Sequence, residues 1–496
     1  MHPTHPSHLP SGALIPAVWM RFTMLFPAFF VAIFTALLAG CGAPEAADRR
    51  LADLVYVLPV AAYADSDGDG TGDLNGVRAH LDYLARLGVG TVQLMPLEPA
   101  DQPGRLIPAG FGVDPVLGTQ RDVEALAADL HSLGMTLEVQ LPLNAVSCNH
   151  PWYGGALQGQ GRITLGDSPG SSWFPTGDQR YYYAEAGVGR PDLDWDDAGL
   201  PGDRAASVAA LLDAGVDGVV LRGFNVEGER TAQAAAEALA AALHVDAPAL
   251  LVTSAPMEPV VETLRPWNQL GDVADLPRAL AWEAAARDAD VGWVEDVIAD
   301  WGASVGATRP FLGDGDRPRL ASRVRDDATR RTLMTLHLLG PGHPSLYYGE
   351  ELDLEDSTTL PVDAPWRAPM PWDAGTNCGF TEGKPWFVPD PACLVGWNAE
   401  DEADDAASML RHVQWLLALR ARAGRGPFER VATAHSDVMA FRNGGLLVIG
   451  SVSASPRTLF LPGEAAIDTV TGAEVGEHID VPPLGWRVLE ERQRRR

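Results

Sequence analysis

The sequence predicts an α/β fold: a (β/α)8 barrel with a small loop-rich domain inserted after its third strand and a small antiparallel β domain at its C-terminal end. Three observations predict it. From residue 52 onward, short β-rich runs alternate with amphipathic helices, the signature of parallel strands joined by crossover helices. The alternation continues to about eight strands over roughly 370 residues, which suits a closed barrel better than an open sheet. Between "QLPLN" and "GDRAASVAALLDAG" the series is interrupted by about fifty residues rich in Gly, Pro, Tyr and Trp, and after "MLRHVQWLLALRARAG" it gives way to alternating strands.

The elements follow in order. "LVYVLPV" is the first strand, and Val77, Leu81, Leu84 and Leu87 then fall on one helical face before "VGTVQLMPL". A helix from about Arg121 to Leu133 leads to "TLEVQLPL", and one around Ala205 to Ala214 leads to "DGVVLRG". An Ala-rich helix, "ALLVTS", "RPFLGDGD" and "HPSLYYGEE" complete the series. The predicted barrel thus occupies residues 52–143 and 196–424, the insertion 144–195 and the β domain 425–496. The insertion holds "HPWYGG", "SSWFPTGDQRYYY" and "RPDLDWDD". Its aromatic residues, Trp152, Trp173, Trp195 and the run Tyr181 to Tyr183, suit either a structural cluster or a platform for sugar faces.

The N-terminal region differs in kind. Residues 22–40, "FTMLFPAFFVAIFTALLAG", are uncharged, follow Arg21 and meet Cys41, which reads as a secretory signal over residues 1–40 followed by a linker over 41–51. "LLAGC" resembles the bacterial lipobox, which implies cleavage before Cys41, lipid on its thiol and an exported chain anchored to a bacterial membrane at the cell envelope. The net charge of -29 repels phosphate backbones and excludes nucleic acid as a partner. Cys148, Cys378 and Cys393 remain beyond the leader. Cys378 and Cys393 pair or stand as two thiols; spacing does not decide.

Residues 65–73, "DSDGDGTGD", set Asp65, Asp67, Asp69 and Asp73 at relative positions 1, 3, 5 and 9, with the Thr71 carbonyl at 7 and Gly70 at the tight turn. Hard oxygen donors at that spacing suit Ca²⁺, and four aspartates so close repel one another without a cation. Position 12 is Gly76, so the loop is not an EF-hand.

Long ordered stretches, among them "YADSDGDGTGDLNGVRAHLDYLARLGVGTVQLMPL", "DQRYYYAEAGVGRPDLDWDD", "GVDGVVL", "HPSLYYGEEL" and "RAPMPWDAGTNCGFTEGKPW", resemble the alpha-amylase family of glycoside hydrolases, on its oligo-1,6-glucosidase, alpha-glucosidase and trehalose-synthase branch. The resemblance implies a TIM barrel, a domain inserted after strand three and a C-terminal β-sandwich. It also implies a retaining reaction that needs two carboxyls about 5 Å apart. Carried over residue by residue, the nucleophile position holds Arg222, and Val220 stands where the family keeps an arginine. The acid/base position holds Ser254, whose alcohol is too weak an acid to protonate a leaving oxygen. The third-strand motif runs from Gln140 to Asn144 and Ala145, and the seventh-strand triplet reads Asp314, Gly315, Asp316, of which only Asp316 matches.

With Gln140, Asn144, Arg222, Asp314 and Asp316 as the pocket residues, this pattern leads to the expectation of a catalytically inactive envelope lipoprotein that binds an alpha-glucan, another oligosaccharide or an envelope protein partner. On that reading Arg222 forms an ion pair with Asp316 that plugs the old pocket, or else makes a new anion site. The alternatives are an active alpha-glucan hydrolase or glucosyltransferase using atypical acids, such as Asp314 and Asp316 with Glu98 or Glu227, and a purely structural assembly protein.

Overall fold

The computed structural model describes residues 54–101, 107–143, 145–184, 187–222, 250–254, 273–275, 311–313, 315, 318–360, 364–423, 428–435, 437–462 and 465–491. Cys41, Asn144, Glu227, Asp314 and Asp316, and with them the leader and lipid site, lie outside these residues. Four strands come first in the barrel: β1 (Val55–Leu58), β2 (Thr91–Leu94) and β3 (Thr136–Pro142), then, past the inserted strands β4 (Leu165–Gly166), β5 (Trp173–Pro175) and β6 (Tyr181–Tyr183), β7 (Gly218–Arg222). β8 (Leu250–Ser254), β9 (Val273–Asp275) and β10 (Ser345–Tyr347) follow. These seven barrel strands form one parallel sheet in the order β10-β1-β2-β3-β7-β8-β9. Phe311 makes a further parallel bridge to Ser345, which sets the seventh-strand segment beside β10.

Local chemistry explains these elements. β1 is buried at every position, as a strand covered on both faces requires. The helix Gln120–Ser132 starts at a capping box between Thr119 and Asp122 and buries Val123, Leu126, Ala127 and Leu130 on one stripe. Asp326 caps Asp327–Leu339 by accepting the Thr329 N–H at 2.7 Å. Inside the barrel, Gln140 donates to Gln93 (2.7 Å) and Gln93 to Glu138 (3.0 Å), so buried polar groups on neighbouring strands satisfy one another.

In the insertion, β4, β6 and β5 form a three-stranded antiparallel sheet. Its rings pack on each other: Tyr182 meets Tyr153 and Phe174, and Trp173 meets Tyr183. Trp195 closes the insertion by donating to the Leu143 carbonyl at 3.0 Å.

The C-terminal strands build a six-stranded antiparallel sheet and a two-stranded one. Along Val438–Asn443 the two-residue period is explicit. Val438 and Ala440 face a core shared with Leu459, Ile479 and Val481, whereas Met439 and Phe441 join the main barrel core. Among the described residues, no helix is long and apolar enough to cross a membrane.

Candidate active site at the barrel mouth

A parallel barrel gathers its strand ends at one face, where active sites of this architecture sit. β7 ends at Arg222 and β8 at Ser254; both backbone positions are at that face, and the side chains of these two residues lie outside the described set. Register pairs Gln140 with Val220 and Pro142 with Arg222 across β3 and β7. It pairs Ser254 with Asp275, so an aspartate ends β9 directly beside the place where the family keeps its acid/base. Gln140 is buried and engaged with Gln93.

A second acid stands just past β10. The chain turns at Gly349, whose φ of 77° is left-handed, into the short helical turn Glu350–Leu352. Two adjacent glutamates are both buried there, each with one oxygen lacking a partner, but they differ in their tethers. Glu351 accepts hydrogen bonds from the Tyr56 hydroxyl (2.6 Å) and the Tyr83 hydroxyl (2.8 Å). Among the described residues, Glu350 accepts the Tyr347 N–H, at 3.3 Å, on Oε2, and its buried Oε1, like Oε2 of Glu351, has no hydrogen-bond partner. Burial pushes its carboxyl up to about 7 against the opposing charges of Arg323 and Arg319. A Cβ built on Gly313 would lie 2.5 Å from Oε1, so the carboxyl abuts the strand-seven segment that carries Asp314 and Asp316. The carbonyl of Gly315, between those two aspartates, is held by the Trp366 indole N–H and by Arg367 Nε. Arg319, fully buried, lies over the rings of Tyr347 and Tyr348 at 4.8 and 4.6 Å.

Neither Glu350 nor Asp275 was among the candidate site residues read from the sequence. "GEE" after an apolar run was the only available signal for the first, and it marks Glu350 and Glu351 alike. Glu98, one of the atypical acids considered, is tied instead to Arg204 by a 2.8 Å ion pair.

In the 65–73 loop, Asp65, Asp67 and Asp73 each bring a carboxylate oxygen within 4.8 Å of the others. Asp69 does not join them; its carboxylate accepts the Thr71 N–H. Burial alone would raise the Asp65 carboxyl, but the Thr381 hydroxyl and three backbone N–H groups outweigh it and hold it below the usual range. Asp73 caps the helix Leu74–Ala79 through the Gly76 N–H and also accepts from Ser66. Cys378 and Cys393 are joined in a disulfide with Cα atoms 5.8 Å apart, and Cys148 is free.

The chain is similar to known enzymes along most of its length. The chain is 23% identical to a trehalose-6-phosphate hydrolase of Bacillus subtilis, over 84% of this chain and 91% of that protein. It is 24% identical to the trehalose synthase/amylase TreS of Mycobacterium tuberculosis, over 87% and 86%. The solved structure of an alpha-glucosyl transfer enzyme, XgtA, superposes with a TM-score of 0.76 at 22% identity, covering 90% of this chain and 99% of that one, which shows the fold. These relatives are named for hydrolysis, synthesis and glucosyl transfer, and that overturns the expectation of an inactive binding or partner-docking module. The catalytic-domain profile of alpha-amylase matches residues 56–225 and 291–425, more than half of the chain, and with the barrel, its inserted domain and its C-terminal sheets in place, the protein belongs to the alpha-amylase family.

Proposed function

We propose that this protein is an active alpha-glucoside hydrolase or glucosyltransferase whose acids are not at the family's customary positions. The observation that carries the reading is the family match along the barrel, with relatives named for trehalose, trehalose 6-phosphate and glucosyl transfer. Glycosidic cleavage needs a carboxylic acid that still holds its proton near the working pH. Glu350, with its carboxyl at about 7 and one oxygen without a partner, fits that role. Asp275, in register with Ser254, is our assignment for the second carboxyl, and Asp316 keeps its family position.

The test is turnover. Purified protein is incubated with trehalose, trehalose 6-phosphate, sucrose and isomaltose, and glucose or isomeric products are resolved by chromatography. Glu350→Gln is expected to lower kcat at least about a hundredfold, the scale of general acid catalysis, and to remove a pH-rate limb near 7. No turnover of any of the four substrates by the wild-type protein overturns the proposal.

Two accessory assignments belong to the same reading. Ca²⁺ is held by Asp65, Asp67 and Asp73, with the Thr71 carbonyl as a further oxygen donor, while Asp69 serves the local turn. The three convergent carboxylates support it, although Asp65 and Asp73 already accept several hydrogen bonds. It would stiffen the turn and take no part in bond cleavage. The enzyme is exported and lipidated at Cys41, and a Cys41→Ser form that still partitions with membranes would refute that anchor.

A further inference from the structure

The segment 376–397 closes on itself through the Cys378–Cys393 disulfide and lies against the turn that follows β1. Hydrogen bonds join the two. The Asp65 N–H donates to the Phe380 carbonyl at 3.0 Å, and the Trp386 N–H to the Gly70 carbonyl at 3.2 Å. The Thr381 hydroxyl donates to Asp65 Oδ2 at 2.5 Å, and the Trp386 indole N–H to the Ala61 carbonyl at 3.2 Å. The backbones also interlock: a Cβ added to Gly70 would collide with the Lys384 carbonyl, and one added to Gly383 with the Gly68 carbonyl. Phe380, Thr381, Gly383, Lys384 and Trp386 all stand between the two cysteines, so each of these contacts belongs to the loop that the disulfide closes. The turn they hold leaves the C-terminal end of β1, on the face of the barrel where its mouth opens.

We propose that this clasp is a redox-operated switch: a dithiol reductant opens the disulfide and releases the segment from the turn after β1. A cavity of about 300 Å³ gives the reductant its approach, because Cys378 and Cys393 both line it and the exposed Val388, Val395 and Trp397 line it too. Cys378, at 7% exposure against 2% for Cys393, is the more open of the pair. A thiolate of the dithiol attacks the Cys378 sulfur and the Cys393 thiolate leaves; the second thiolate of the dithiol then displaces Cys378. Two electrons and two protons pass to the protein sulfurs, and the dithiol becomes a disulfide. By loop entropy, a cross-link of sequence separation 15 shifts the opening equilibrium by a factor of about 150. Once opened, the turn exchanges its partners Phe380, Thr381 and Trp386 for water, and one wall of the barrel mouth loosens. The opening stands on these contacts alone; its effect on turnover rests on the proposed activity.

The experiment follows hydrogen exchange in the full-length protein with and without dithiothreitol, in chelator so that no cation contributes, by mass spectrometry of peptides spanning residues 60–73 and 379–390. Reduction should release the Cys378 and Cys393 thiols and speed exchange at least about tenfold in the peptides that carry the Asp65 and Trp386 amides, with both effects reversed on reoxidation. Cys378→Ser with Cys393→Ser should exchange at the fast rate with or without dithiothreitol, which excludes the free Cys148 as the target; should that variant not fold, the wild-type comparison still decides. Ile449→Ala removes volume from the C-terminal core, touches neither segment and should leave both peptides at the oxidised rate. Turnover of the substrate identified by the activity test should fall severalfold on reduction. A wild type that turns over no substrate overturns the proposed activity, and exchange alone then judges the switch. Four results overturn the switch: no thiol released from the folded wild type, equal exchange in both redox states, the same acceleration in Ile449→Ala, or, in an active enzyme, equal turnover in both redox states.

Discussion

Replacing Glu402 by glutamine should stabilise the protein much more at alkaline pH than at pH 5.5. Glu402 is half-buried, with Asp353 and Glu351 as acidic neighbours, and it accepts the Leu410 N–H at 3.2 Å. Burial first, and then those two acids, push its carboxyl up to about 8, past the opposing effects of the Leu410 N–H and Arg331. The folded chain therefore holds this proton more tightly than the unfolded chain. The resulting stability is fully present below about 4.5, declines as pH rises and is lost on passing about 8. At about 1.4 kcal/mol per unit, the rise from 4.5 sets a ceiling of about 5 kcal/mol. Solvent reaches part of the carboxylate, so about 2 to 3 kcal/mol is the expected loss between pH 5.5 and 9. Glutamine keeps an acceptor for Leu410 and never ionises. Urea midpoints at pH 5.5, 7 and 9 should show the wild type falling while Glu402→Gln stays nearly level. Parallel falls in both proteins would refute this account of the acidic cluster.

Three further outcomes are expected. Calcium at a hundred times its Kd should stabilise the chain by about 2.7 kcal/mol; Asp67→Asn should abolish the shift, and an identical melting midpoint in chelator and in calcium would remove the metal assignment. Replacing Cys378 and Cys393 by serine opens a loop of sequence separation 15, for which loop entropy predicts a loss of about 3 kcal/mol, read as a lower urea midpoint under non-reducing conditions. Glu98→Leu leaves the fully buried Arg204 without its carboxylate and should cost about 3 to 5 kcal/mol, whereas Glu98→Leu with Arg204→Met should recover most of it; equal losses in the single and double variants would show that the pair is uncoupled.

The barrel was legible because its strands write burial directly into composition. "VYVL" and "TLEVQLP" are apolar enough to be covered on both faces, and the helix before β7 and the one after β2 show their periodicity and start signals. The C-terminal sheets were legible for the complementary reason: Val438 to Phe441 alternate between two cores, and every position is apolar because each face is covered. The metal loop was only partly legible. Spacing locates five donors, but Asp69 is consumed by a local turn to the Thr71 N–H, a competition that no count of carboxylates reveals.

Chemistry was less legible than scaffold because a side chain's role is set by its partners, and those partners are distant in sequence. Glu350 and Glu351 are the same residue type one position apart, and both are buried. Glu351 receives phenol hydroxyls from residues 295 and 268 positions away, which anchors it as a structural acceptor joining β1, the helix Leu81–Leu87 and the turn after β10. Glu350 receives the Tyr347 N–H at 3.3 Å and, like Glu351, keeps one buried oxygen without a partner, in its case beside Gly313. Burial pushes both carboxyls up, and what separates them is the tether: two phenol hydroxyls on Glu351, one backbone N–H on Glu350. Reading only the positions of Arg222 and Ser254 asks whether two familiar carboxyls survive. The strand ends at a barrel mouth offer further positions, and the backbone register sets Asp275 beside Ser254 while Glu350 follows β10, which is why the proposed reading turns to them.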